Sequence, residues 1–385
     1  MPNIFQMWRR RVAMSKAVAK LSPQAATIRN DILVPIGLAK SAFEQTNNKR
    51  NLAGDVFLGH IELLDSPEVN AWASPPTFRA HNVFICSGLV IAAFDAACVI
   101  FNSRESFKEF GGSDRQSTDA LAEALRRLRG EVLPPLGALE SDTFLKSLWS
   151  QLPTCQKRAG GALLMFEETL RYFTQHELAH AALGHCLFVS KHLGLTKLLE
   201  VSRPNEALQG DSENIIQLLE YEADITAATS SLQRAVFGQH SIVGQHPYLV
   251  KSIVLGIHVG LWLISRREKF DDAIHVPQAS HPNIGFRHAV ASQVLNNFCN
   301  YEFAKDAYQL AREDLINISR IENNLFGILS LANHEVLKQR QMIFANESIR
   351  INQQALAKLG RYRFIVPFYD FSYDGLDYSK YVREK

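Results

Sequence analysis

The sequence predicts an α+β protein in which helix dominates. Three observations carry this: alternating apolar stretches confined to about Gly54–Phe101, helical periodicity from about Ser113 to the C-terminus, and a globular composition of 46% apolar and 21% charged residues. A chain of 385 residues is long enough for one large core or two modest domains. A formal charge of +2 provides no field that recommends nucleic acid or an anionic membrane. The partner must be sought at a site. Cys86, Cys98, Cys155, Cys186 and Cys299 are scattered and never in CxxC spacing, which suits a reducing, cytoplasmic setting rather than a disulfide framework.

Residues 1–50 read as an N-terminal helical segment, polar on one face and ending in the solvated EQTNNKRN. Arg9, Arg10 and Arg11 are followed by no apolar run long enough for a signal sequence, and a weak surface helix is expected there in preference to a membrane-contacting one. Next come DVFLGHIELL and HNVFICS, the expected strands, with a loop expected between them at Pro75–Pro76. VFICSGLVIAAFDAACVIF reaches membrane-spanning length only with Asp95 inside it, and IVLGIHVGLWLIS is short and carries His258; a span needs about 20 apolar residues. The first is expected to be a buried strand, a turn at Gly88 and a helix, and the second a buried helix. Beyond Ser113 the helical pattern breaks at LPPLG, SRPN and VPQASHPN. A long helical run, NYEFAKDAYQLAREDLINISRIENNLFGILSLANHEVLKQRQ, and an aromatic tail complete a C-terminal region at 301–385, suited to packing or partner binding.

RYFTQHELAHAALGHCLFV carries the chemistry. Residues four apart on a helix lie one above the other, so His176 and His180 can offer imidazoles to one point, with Glu177 beside them. Phe166, Leu170 and Phe173 continue that stripe and turn the histidines inward. Zinc takes histidine nitrogens in this way, and a catalytic site adds a third protein ligand and leaves room for water, for which Glu177 is placed as general base. A third histidine from the same motif is excluded, because Leu183 and Cys186 stand where a metzincin needs Gly and His. A carboxylate from DSENIIQLLEYEADITAATSSLQRAVF can serve instead. Glu220 is assigned rather than Glu222, because only Glu220 shares a face with Asp224, which can accept a hydrogen bond from a ligating histidine. Ala223, Ala227 and Ala228 leave that helix smooth enough to approach HELAHAAL closely.

HELAHAALGH followed by EYEAD resembles the gluzincin metallopeptidases of the HtpX and CAAX prenyl protease group, which pair HExxHxxxxH with an ExxAD helix. VNAWAS and VFICSGLV are similar to that family's Asn-Ala-x-Ala strand and its cleft-lining edge strand, and SHPNIGFRHAV is similar to its His-Pro-x4-Arg element. Together the four segments span about Asn70–Arg287, somewhat over half the chain. The resemblance implies a zincin-like metallopeptidase domain over 51–300 with a small mixed or antiparallel sheet. It makes His176, His180 and Glu220 ligands of Zn2+, Glu177 the base and Asp224 the partner of a ligating histidine. It also sets Arg287 near the cleft, His281 where it could steady an oxyanion, and Asn70, Ala71, Phe84 and Cys86 along the substrate strand. His185 matches the trailing histidine; five residues past His180 it is rotated off the ligand face, and a structural role is expected. Membrane members of the family carry transmembrane helices that this sequence lacks; the soluble, intracellular Lit-type phage-exclusion peptidases are among its other members. The expected activity is zinc-dependent hydrolysis of a protein or peptide. The alternative is a zinc-stapled pseudo-peptidase that serves as an interaction module.

Overall fold

The computed structural model describes residues 21–45, 47–77, 80–103, 107, 119–194, 198–199, 211–237 and 249–265, together with 287, 294, 359 and 362. The long run over 300–341 and the aromatic tail from 363 onward lie outside the described residues. The elements are α1 (Pro23–Gln45), β1 (Gly59–Leu64), β2 (Ala71–Thr77), β3 (Ala80–Cys86), α2 (Ser87–Asn102), α3 (Asp119–Leu128), α4 (Asp142–Trp149), α5 (Gln156–Ala182), α6 (His185–Phe188), β4 (Leu198–Leu199), α7 (Asp211–Phe237) and α8 (Leu249–Ser265). The chain is thus α+β and mostly helical, as its periodicity predicts, and no described helix is long and apolar enough to cross a membrane.

The strands form one mixed sheet in the order β1-β3-β2-β4. β1 runs parallel to β3, and β2 is antiparallel to both β3 and β4. Strand alternation explains its two faces. Ile61, Ala71, Ala73, Val83 and Ile85 are buried, whereas Trp72 and Phe84 stack on the other face with ring centroids 5.2 Å apart. Two expectations for this region are corrected. Pro75 and Pro76 lie within β2, where the register with β3 shifts between Ser74 and Thr77; a bulge tolerates residues that cannot donate to the ladder. Nor does Gly88 make a turn: β3 passes directly into α2, and a side chain at Gly88 would stand 2.3 Å from the carbonyl oxygen of Pro67. This glycine is required for close approach.

Helix α5 lies beneath β2 and β3 and is packed by α1, α2, α7 and α8. Gly256 and Gly260 let α8 come close: a Cβ at Gly256 would stand 2.8 Å from that of Glu168. Apolar residues of α1, including Ile28, Ile32 and Phe43, join the same core as α2 and α5. Asp95, the charge inside the apolar run, is fully buried and accepts from Arg127 Nε at 2.7 Å and Nη2 at 2.8 Å, a bidentate pair that ties α2 to α3. Arg158 of α5 donates to the carbonyls of Phe101 and Ser103, both at 2.6 Å, and so satisfies the C-terminal end of α2.

His81 of β3 is buried and stacked on Phe57 with ring centroids 5.2 Å apart. Burial lowers its pKa from 6.5 to about 4, against a smaller opposing pull from Asp55. Between those values the unfolded chain binds a proton that the folded chain refuses, so stability is lost as pH falls from 6.5 toward 4. The loss from this residue is about 3 kcal/mol at most. Urea unfolding of wild type and His81→Leu across that range measures it: the variant is expected to have a shallower acid slope. An unchanged slope would assign the pH dependence to other groups.

Candidate metal centre

The C-terminal half of α5 stacks His176 and His180 on one side of the helix, with ring centroids 4.7 Å apart and Nε2 atoms 3.0 Å apart. Helix α7 crosses here on its alanine face; Ala223, Ala227 and Ala228 are fully buried. That approach brings Glu220 Oε2 within 3.2 Å of His176 Nε2 and Glu220 Oε1 within 3.4 Å of His180 Nε2. All three residues are buried, and their potential ligand atoms lie within 4.8 Å of one another.

The donor set fits zinc. Ligand atoms at 2.0–2.1 Å in a tetrahedron stand about 3.3 Å from one another. The two imidazole Nε2 atoms stand 3.0 Å apart, and each has a Glu220 oxygen near that distance, Oε2 at 3.2 Å from His176 and Oε1 at 3.4 Å from His180. Ring protonation fits as well. Burial lowers the pKa of His180 to about 4, with Glu220 opposing, so the ring is neutral near pH 7 and has a lone pair to offer. His176 Nδ1 lies 2.9 Å from Asp224 Oδ1; a proton on Nδ1 faces that carboxylate and leaves Nε2 on the side where Glu220 lies.

Asp224 is itself held on two further sides. It accepts from Tyr172 Oη at 2.6 Å and from Arg287 Nε and Nη2, both at 2.8 Å. Burial pushes this carboxyl up, but Arg287 and His176 more than offset it and hold Asp224 well below the usual carboxylate range. Arg287 Nη2 also lies 3.9 Å from Glu220 Oε2. Tyr172 is absent from the sequence reading, although its position four residues before His176 on the same helical face is the signal that would have found it.

Glu177 follows His176 directly and is 1% exposed. Burial, with a further contribution from Glu177, pushes the Cys186 thiol well above its ordinary value. His281 lies outside the described residues. The expected substrate strand needs correction: β3, with Phe84 and Cys86, is central rather than an edge, flanked by β1 and β2. Asn70 and Ala71 belong to the same pairing, since Cys86 N donates to Asn70 O at 3.1 Å and Ala71 pairs with Ile85. The far edge of β2 meets β4 at Trp72 and Ala73. Alternation identifies a strand but carries no information on its neighbours.

No family model, curated protein or solved structure matches this chain.

Proposed function

We propose that the chain is an intracellular zinc-dependent endopeptidase of the gluzincin type. The observation that carries this reading is the convergence of His176, His180 and Glu220 from two helices, with the buried carboxylate of Glu177 one position from the first imidazole. Charge supports a dication: the carboxylates of Glu220 and Asp224 are both buried, with Arg287 Nη2 3.9 Å from Glu220 Oε2 and 2.8 Å from Asp224 Oδ1. Among the described residues, Cys86, Cys98 and Cys186 are free thiols, which agrees with a reducing compartment.

Zinc held by His176, His180 and Glu220 supplies a Lewis acid that polarises a carbonyl and activates water near neutral pH. Glu177 takes a proton from the attacking water and returns it to the departing amine, so the C–N bond breaks without release of an amide anion. Asp224, steadied by Arg287 and Tyr172, keeps the His176 ring in one tautomer and one orientation. Metal analysis of the purified full-length chain is expected to find one zinc per chain. Cleavage of a peptide library is expected to cease on chelation and return with zinc. Protein purified without stoichiometric zinc, and unable to take it up, would overturn the proposal.

A further inference from the structure

His185 sits where a continuous helix could not put it. Five residues past His180, it would be rotated about 140° away at 3.6 residues per turn. Gly184 changes this, because it ends α5 in the left-handed region at φ 79° and restarts the chain as α6. The bend returns His185 to the site, with its Nδ1 3.0 Å from His180 Nδ1. Its other nitrogen, Nε2, lies 3.1 Å from Glu222 Oε2, and the Glu222 side chain is 31% exposed. The two metal-facing histidines therefore have different supports: His176 has a carboxylate directly, and His180 has one through a second imidazole.

We infer that Glu222 and His185 form a positioning relay that sets the tautomer of His180 and strengthens its hold on the metal, an inference that rests on the metal reading above. The order of protons follows from donor and acceptor counting. Glu222 Oε2, 3.1 Å from His185 Nε2, is the acceptor of that contact, so His185 Nε2 carries its proton toward it. His185 Nδ1 is then the acceptor and takes the proton of His180 Nδ1. His180 Nε2 is left with its lone pair facing Glu220 and His176. Reversal at any link would put a proton on His180 Nε2 and aim it into the site. Neither Glu222 nor His185 belongs to the group formed by His176, His180 and Glu220, and both act through His180.

The experiment measures zinc affinity of the full-length chain by chelator competition, together with the visible spectrum of the cobalt-substituted protein. Glu222→Ala removes the terminal acceptor at a partly exposed position, and affinity is expected to fall about 10- to 100-fold with a shifted cobalt spectrum. Glu222→Gln keeps an acceptor oxygen without the charge and is expected to recover part of that loss. If the carboxylate acted only as a distant negative charge, Gln and Ala would lose equally, which overturns the relay. In a His185→Phe background, where no nitrogen passes the bond along, the Glu222→Ala effect is expected to vanish; a full effect there overturns the relay too. Should His185→Phe fail to fold, the Ala and Gln pair decides alone. Wild-type zinc affinity in Glu222→Ala rejects the relay and leaves the zinc reading standing, whereas a wild-type chain that takes up no zinc removes both.

Discussion

Replacing Glu177 with Gln is expected to leave one zinc bound per chain and to slow peptide cleavage by about 10²–10⁴-fold, the usual contribution of a positioned acid–base group. The substitution is nearly isosteric, which matters at a side chain only 1% exposed. An amide cannot accept and later return a proton at neutral pH, so chemistry is removed while the ligands stay. Stability and metal content serve as controls. Cleavage within tenfold of wild type in Glu177→Gln would take the proton transfer away from this residue. Normal zinc content without cleavage in the wild type as well would favour the stapled interaction module, in which a buried carboxylate beside the ligands has no task.

Much of the site was legible because its geometry is local. His176 with His180, and Glu220 with Asp224, are pairs four residues apart, and helical repeat alone puts each pair on one face. The structure brings these four together with Ala223, Ala227 and Ala228 at the crossing. What sequence could not give depends on conformations or contacts without a local pattern. The return of His185 follows from one left-handed glycine. The central position of β3 depends on which strands lie beside it, a tertiary matter that alternation does not encode. Burial of Asp95 is the opposite case: the charge inside an apolar run correctly argued against a membrane span, but its partner Arg127 lies on another helix and gave no local signal.

That same limit applies to Arg287, whose replacement is expected to have the largest effect on stability. Its side chain is 2% exposed and that of Asp224 is fully buried, with Nη2–Oδ1 at 2.8 Å. Removing one member of such a pair leaves the other charge stranded away from water, at a cost of about 3–5 kcal/mol. Arg287→Met keeps much of the volume and strands Asp224; Asp224→Asn strands Arg287. Double substitution strands neither, so it is expected to be markedly more stable than the sum of the single losses predicts, by about 0.5–3 kcal/mol. Urea unfolding of the metal-free proteins measures this, and additive losses would show that the pair does not act as a unit. The consequence reaches the metal. Arg287 and His176 hold Asp224 ionised against its burial, and an ionised Asp224 in turn keeps the His176 proton on Nδ1. Once Arg287 is gone, the carboxyl is pushed up by burial, becomes a weaker acceptor and holds His176 less firmly. Zinc affinity is therefore expected to fall about 10- to 100-fold in Arg287→Met, although Arg287 is no metal ligand. Unchanged affinity alongside the lost stability would confine this arginine to the packing of the fold.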